Sequence, residues 1–236
     1  MTKDMHTAPH TSKQLTVLVA LTQGALIAWS IGSAALEAGP ESAATITYIL
    51  YAIYVGYAII TRNPLMIRLL IICTIAGILE LPTDDYLVNG INSLVYPHDE
   101  PMIWSSPLYM PLAWANVLIQ LGYWALLMAR WKGLVPASII LFLAGGFYIP
   151  LYEHLASSAN WWFYNDNTIM IFNAPVYVIL TEALISLSLP YLLHVAIEKN
   201  YKWSAGIGIV EGIWIFLSAL IAFFMADTVF ASFVAH

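Results

Sequence analysis

Seven runs of apolar residues follow one another along the chain, and they constrain its fold more than any other feature. We place them at 15–36, 44–61, 65–81, 106–129, 135–155, 170–195 and 204–231. A helix needs about 20 apolar residues to cross the ~30 Å hydrocarbon core of a bilayer. Only 9% of the 236 residues are charged, whereas a water-soluble domain carries roughly 25%. The sequence therefore predicts an all-α membrane protein, a bundle of seven transmembrane helices.

The spacing of these runs leaves room for one domain. Residues 1–14 form a short polar tail, and residues 15–236 form a single seven-helix transmembrane domain. The tail lacks the charged start and apolar core of a signal peptide, so we expect the first span to act as its own insertion signal. The single cysteine, Cys73, excludes an internal disulfide, and the scattered basic residues form no patch for nucleic acid.

The basic residues predict the orientation in the membrane. If there are seven spans, all eight fall on one side of the bilayer, namely Lys3, Lys13, Arg62, Arg68, Arg130, Lys132, Lys199 and Lys202. The connections on the other side contain acidic residues and no Lys or Arg. Lys and Arg concentrate in the cytoplasmic loops of membrane proteins. We therefore expect a multi-pass protein of the inner, cytoplasmic membrane with its N-terminus in the cytoplasm and its C-terminus outside.

Five acidic residues lie within or at the ends of the spans. Glu80, Glu153 and Asp227 are near the outer ends of the third, fifth and seventh spans, whereas Glu182 and Glu211 lie deeper. Ionisable groups in hydrocarbon are costly and often mark a functional site. Solvation at the interface is the simpler explanation for the outer acids. Hydrogen bonds to neighbouring helices are the simpler explanation for the deeper ones.

The two longest connections, at about 82–105 and 156–169, lie on the outer side and are rich in aromatic residues. Each follows an acid and precedes a Pro-x-Tyr segment that enters the next span. Glu80 precedes Pro107-Leu108-Tyr109 in this way, and Glu153 precedes Pro175-Val176-Tyr177. This echo indicates either an internal duplication or the ordinary preference for Pro near helix starts.

Signals for metals and cofactors are weak. His98, His154 and His194 could ligate a metal, but the sequence has no HxxxH or ExxH pair on one helix face. P-loop, dinucleotide and nucleophile-elbow motifs are missing, and the last span has no Lys for a retinal Schiff base. We therefore predict neither a metal nor a cofactor.

One segment resembles a known family. The run from Glu80 through Tyr96 to Pro107, followed by Pro111-Leu112-Ala113-Trp114, is similar to the integral-membrane carotenoid hydratases of the bisanhydrobacterioruberin hydratase kind. The second half is similar as well, and the matching residues there are Glu153, Trp161-Trp162, Asn173 and Pro175. The resemblance covers about residues 76–185 at the level of motifs.

Two departures from that family stand out. Its Thr-Gly/Phe-Gly loop signature is replaced here by the residues 82–86, and its Trp-x-Trp is Trp161-Trp162. The size, the seven spans and the outer acids also resemble fungal-type transmembrane meroterpenoid cyclases. That second resemblance implies that Glu80 and Asp227 are the acids.

Both resemblances imply protonation of an isoprenoid double bond or epoxide. The expected function is cofactor-free acid–base hydration, cyclisation or isomerisation of an isoprenoid or carotenoid dissolved in the membrane. Glu80, Glu153 and Asp227 would be the catalytic acids and bases. The substrate would be bound by Tyr109, Trp114, Trp161, Asn173, Tyr177 and Glu182.

Two other classes of function remain open. Glu182 and Glu211 could form the proton or cation relay of a small transporter. The chain could also be a non-enzymatic subunit of an oligomer or membrane complex. In that case a stripe of small residues would pack on a partner, and its members are Gly24, Ser30, Gly32, Ala34 and Ala35.

Overall fold

The fold is an all-α bundle, as a computed structural model describes it for residues 12–97 and 100–226. Within these residues, seven helices are long and apolar enough to cross a membrane. They are α1 (Lys13–Leu36), α2 (Pro40–Thr61), α3 with its extension (Pro64–Gly90), α5 (Met110–Lys132), α6 (Leu134–Ser158), α7 (Val176–Glu198) and α8 (Tyr201–Phe224). The predicted seven-helix class is confirmed. The end of the seventh predicted span, from residue 227, lies outside the described residues.

Short connections join the helices at one end of the bundle. Asn63 caps α3, because its side chain accepts hydrogen bonds from the backbone N–H groups of Leu65 and Met66. Gly133 alone separates α5 from α6, and it adopts a φ of 89°, a conformation that glycine adopts without steric cost. The long connections lie at the opposite end, which we call the loop end.

The third span is longer than the sequence predicted. We placed its end at residue 81, but the helix continues through α4 (Leu81–Asp85) and a π-helical turn (Tyr86–Gly90). Glu80, between α3 and α4, keeps a helical φ of −74° and ψ of −28°. Pro82 lies in the first turn of α4, where helices tolerate proline. The extension therefore contains residues that we had assigned to a loop.

The fourth and sixth spans begin later than predicted, because a short hairpin precedes each of them. Among the described residues of the loop end, six two-residue strands occur, namely β1 (Leu94–Val95), β2 (Met102–Ile103), β3 (Ser106–Pro107), β4 (Phe163–Tyr164), β5 (Met170–Ile171) and β6 (Ala174–Pro175). β2 pairs with β3 before α5, and β5 pairs with β6 before α7. The turn residues Trp104 and Phe172 have nearly equal φ values of 53° and 54°.

These hairpins belong to an internal repeat with a constant offset. Positions 68 residues apart occupy equivalent places, and several of these pairs are identical. They are Gly77/Gly145, Pro82/Pro150, Asn92/Asn160, Tyr96/Tyr164, Met102/Met170, Pro107/Pro175 and Tyr109/Tyr177. β1 and β4 pair antiparallel, and Val95 pairs with its own counterpart Phe163. This pairing of counterparts indicates a local twofold relation between the two segments, and the constant offset favours an internal duplication over the ordinary preference for Pro near helix starts. The sequence echo placed Glu80 and Glu153 at equivalent positions, but the 68-residue offset equates Glu153 with Asp85 instead.

Equivalent glycines let the helices of each half approach closely. A Cβ atom on Gly77 of α3 would collide with the backbone oxygen of Pro111 in α5. A Cβ atom on Gly145 of α6 would collide with the hydroxyl of Ser186 in α7. Small residues at helix crossings are typical of membrane bundles. The two helix pairs enclose the space in which the candidate site lies.

The described basic residues lie at the helix ends away from the loop end. Arg68 is half-buried there, and its Nη1 donates to the backbone oxygen of Ala196 at 2.7 Å. Its guanidinium group lies 4.5 Å from the centroid of the Tyr201 ring. This arrangement ties α3 to α7 and α8. The cytoplasmic assignment of this end stays a prediction, and Lys3 lies outside the described residues.

Candidate functional site

A cavity of about 100 Å³ lies between the two halves of the repeat, near the loop end. Four carboxyl groups line it, and they belong to Glu80, Asp84, Glu153 and Glu182. Most of the remaining wall is aromatic or aliphatic, and its rings are those of Tyr96, Trp114, Tyr148, Tyr152, Trp162, Tyr164 and Tyr177. None of the described residues lining this space is Lys or Arg. The cavity therefore combines several acids with apolar surroundings and lacks a counter-ion in its wall.

Glu80 and Asp84 come from the same helical face, because residues four apart lie one turn from each other. Both side chains are buried, and Glu80 is 0% exposed. Asp84 accepts hydrogen bonds from the hydroxyl groups of Tyr96 at 2.6 Å and Ser106 at 2.8 Å. By contrast, neither oxygen of Glu80 accepts a hydrogen bond from a hydroxyl, amide or indole group of the described residues, and its described partner is the carboxyl group of Asp84. Two buried carboxyl groups in contact cannot both be ionised at low cost, so the pair shares a proton.

The first long loop supplies the donors that hold Asp84. Tyr96 follows β1, which pairs with β4, whereas Ser106 belongs to β3 of the β2–β3 hairpin. Burial raises the pKa of the Tyr96 phenol well above its usual value, and the nearby Asp84 and Glu80 raise it further. The phenol therefore keeps its proton and donates a hydrogen bond to the Asp84 carboxyl group.

The second half of the repeat supplies the other two acids. Glu153 is buried in α6, and Trp162 donates its indole N–H to Oε2 of Glu153 at 2.6 Å. Glu182 lies in the second turn of α7 and is half-buried. The structure records no hydrogen bond to Glu182 from the described residues.

The cavity is lined by equivalent positions of the two halves. Most of its wall consists of equivalent pairs, namely Glu80/Tyr148, Asp84/Tyr152, Leu94/Trp162, Tyr96/Tyr164, Met110/Val178, Ala113/Thr181 and Trp114/Glu182. In three of these pairs an acid in one half corresponds to an aromatic residue in the other. The site is therefore asymmetric, because the acid pair Glu80 and Asp84 has no acidic counterpart at positions 148 and 152.

The structure brings together some of the predicted site residues and separates others. Glu80, Glu153, Trp114, Tyr177 and Glu182 line the cavity. Three other residues lie elsewhere: Tyr109 and Trp161 in a neighbouring cleft and Asn173 in a separate depression at the loop end. Asp227 and His98 lie outside the described residues.

Sequence reasoning missed Asp84 as a site residue. We had ended the third span before it and treated it as a solvated loop acid. The spacing of four from Glu80 was a signal that could have found it, had the helix been continued past Pro82. Its neighbour Asp85 lies outside the cavity wall and accepts hydrogen bonds from Ser105 at 2.6 Å and Asn89 at 2.8 Å.

The deeper acid Glu211 does not line the cavity. It is 1% exposed in α8, and Ser188 of α7 donates to its Oε2 at 3.2 Å. This hydrogen bond matches the simpler of the two explanations that the sequence left open. Among the described residues, no group of three or more His, Cys, Asp or Glu side chains is placed to hold a metal ion.

The fold and the cavity define a multi-pass α-helical membrane protein with an acid-lined apolar pocket between two repeated halves. The chain belongs to the family DUF6989, a domain of unknown function, whose profile matches residues 81–226. The matched region covers most of the repeat and α8. No curated protein and no solved structure matches the chain.

Proposed function

We propose that the chain is a membrane enzyme that protonates a carbon–carbon double bond of an isoprenoid or carotenoid and thereby hydrates, cyclises or isomerises it. The observation that carries the proposal is the pair of Glu80 and Asp84 at an apolar, aromatic cavity. One carboxyl group in the pair is held by two donors and the other by none. The sequence resemblance to isoprenoid-modifying enzymes points the same way.

Glu80 is the proton donor in this proposal. Tyr96 and Ser106 donate two hydrogen bonds to one oxygen of Asp84, which suits an ionised carboxylate. Glu80 accepts no hydrogen bond from the described residues, which suits a neutral acid that faces substrate. The two side chains are hydrogen-bond partners of each other, and in such a pair one carboxyl group can stay neutral as a proton donor while the other is a stabilising anion.

The reaction begins when the proton of Glu80 forms a C–H bond with one carbon of the double bond. The π electrons make this bond, so the other carbon becomes a cation and Glu80 becomes a carboxylate. Aromatic faces stabilise cations, and Trp114, Trp162 and Tyr177 line the cavity. The apolar wall also keeps bulk water from the cation.

The cation is discharged in one of three ways, and each restores the proton balance. Water adds its oxygen to the cation and loses a proton to a carboxylate, which completes hydration. Alternatively, a second double bond attacks the cation and a neighbouring C–H proton leaves, which completes cyclisation. Loss of that proton without ring closure gives isomerisation. Glu153 and Glu182 line the cavity as bases for these steps.

The size of the cavity limits how much of the substrate it holds. About 100 Å³ is below the roughly 300–1,000 Å³ that encloses a whole ligand. We therefore infer that one end of a long apolar chain enters, while the remainder stays in the bilayer. Tyr148 and Tyr152, which line the cavity from α6, are only half-buried, and the adjacent residues Phe147 and Leu151 are exposed on the surface of that helix.

The proposal is tested by expressing the protein in a bacterial host that makes isoprenoids and carotenoids. Lipid extracts are compared by mass spectrometry for wild type, Glu80→Gln and an empty vector. We expect the wild type to produce an isoprenoid that differs by one water or by its number of rings, and Glu80→Gln to lose it. Asp85→Asn is the matched control, because this acid is next to the pair but does not line the cavity. Identical extracts from wild type and vector would overturn the proposal for these substrates.

A further inference from the structure

A second cavity adjoins the first and has a different chemistry. It measures about 20 Å³ and lies between α1, α2, α5 and α6. Both cavities are lined by Ala113, Val117, Tyr152 and Trp162, which form the wall between them. A space of this size holds one water molecule or one group of similar size, because about 10–15 Å³ is the minimum for a water. We call it the oxygen cleft, for the reason that follows.

Three buried polar atoms of its lining residues have no hydrogen-bond partner in the described part of the chain. They are the hydroxyl group of Tyr109, the indole N–H of Trp161 and Oδ1 of Asn116. Tyr109 is 2% exposed, Trp161 1% and Asn116 2%. Native proteins leave few such atoms unpaired, and three around one small space point to a missing partner.

The types of these atoms define that partner. Trp161 can only donate, and Asn116 Oδ1 can only accept. The amide of Asn116 is oriented by its other end, because Nδ2 donates to the backbone oxygen of Thr47 at 2.9 Å. Burial, chiefly, and the nearby acids Glu100 and Asp84 raise the pKa of the Tyr109 phenol, so its hydroxyl keeps its proton. The residues that line the cleft therefore carry two unpaired donors and one unpaired acceptor among the described groups.

We propose that the oxygen cleft binds one uncharged hydroxyl oxygen, which accepts hydrogen bonds from Tyr109 and Trp161 and donates one to Asn116. No charged side chain lines the cleft, so phosphates and carboxylates would lack a counter-charge there. The hydroxyl group belongs either to an isoprenoid alcohol or to a resident water. This proposal does not depend on the acid–base reaction, since none of the four cavity acids lines the cleft.

The test measures the thermal unfolding of the purified protein in detergent with two probes. Farnesol carries a hydroxyl group on an isoprenoid chain, and farnesene is its oxygen-free counterpart. We expect farnesol to raise Tm more than farnesene does in the wild type. Tyr109→Phe and Trp161→Phe should each weaken farnesol binding about 3- to 10-fold, the effect of losing one neutral hydrogen bond. Comparing both probes within one variant cancels any loss of packing.

Tyr51→Phe is the matched control. The Tyr51 hydroxyl is hydrogen-bonded to Thr74 at 2.8 Å and lies outside the cleft. This variant should keep the difference between the probes. Glu80→Gln should keep it as well, so failure of the acid–base proposal and failure of this one are distinguishable.

Each outcome decides the proposal. A farnesol preference that Tyr109→Phe reduces by the expected factor identifies a bound alcohol. If the wild type shows no preference, but Tyr109→Phe lowers Tm as much as Tyr51→Phe does, the oxygen is a resident water. A farnesol preference that is undiminished in Tyr109→Phe and in Trp161→Phe overturns the proposal. Without a preference, an unchanged or raised Tm of Tyr109→Phe overturns it too, because removing a truly unpaired hydroxyl does not destabilise.

Discussion

Glu80 and Asp84 line the same cavity one helical turn apart, but only Asp84 is held by hydrogen bonds from the described residues. Tyr96 and Ser106 reach it from the first long loop, whereas Glu80 lines the same apolar, aromatic cavity without a hydroxyl donor of its own among the described residues. A pair of acids with such different surroundings can divide the work of proton donor and stabilising anion. This difference is the basis of the proposed chemistry.

The first prediction concerns the support of Asp84. Tyr96→Phe removes a donor to a buried carboxylate, and we expect a loss of about 1–3 kcal/mol in the free energy of unfolding. Thermal unfolding in detergent measures it. Tyr51→Phe removes a hydroxyl from a half-buried pair of neutral groups and should have a smaller effect. Equal effects of the two substitutions would show that Asp84 does not depend on Tyr96.

The second prediction concerns the close helix crossings of the repeat. Gly77→Ala places a methyl group against the backbone of α5, and overpacking of this kind costs about 1–3 kcal/mol. Gly56→Ala is the control, since its new methyl group meets nothing within 4 Å. Alanine favours a helix over glycine by about 0.5–1 kcal/mol, so this variant should unfold at the same or a higher temperature. A Gly77→Ala protein as stable as the wild type would contradict the close packing of α3 and α5.

The fold was predictable from sequence in its main features, because length and hydropathy alone define spans in lipid. The errors occurred where local rules were ambiguous. The third span was predicted to end at residue 81, but Pro82 is tolerated in the first turn of α4 and the helix continues. Residues 170–175 are apolar enough to continue a span, but β5 and β6 form a hairpin there. Apolar content does not distinguish these two structures.

The third prediction tests the orientation of the bundle. Cys73 is buried, so a Cys73→Ala background accepts single cysteines as reporters of position. A membrane-impermeant maleimide should label Asp166→Cys at the loop end in intact cells. It should label Lys132→Cys at the opposite end only after lysis, because basic residues mark the cytoplasmic side. The reverse labelling pattern would invert the assignment.

The candidate site was predictable only in part. Glu80 and Glu153 stood out because acids are rare in apolar spans. Tyr109 and Trp161 were predicted to line the same pocket, but they line the oxygen cleft, beyond a wall that includes Ala113 and Val117. Linear sequence does not show which side of such a wall a side chain reaches. The duplication was visible as an echo, but its register became clear only from the paired turns.

The origin of the transferred proton is the most direct test of the central claim. Membranes containing the wild type, Glu80→Gln or Asp85→Asn are incubated with isoprenoid substrates in D₂O, and the products are examined by mass spectrometry. If Glu80 protonates a carbon, the wild-type and Asp85→Asn products carry one carbon-bound deuterium per protonated double bond, and Glu80→Gln forms no such product. A product free of carbon-bound deuterium, or one formed equally by Glu80→Gln, would contradict the account.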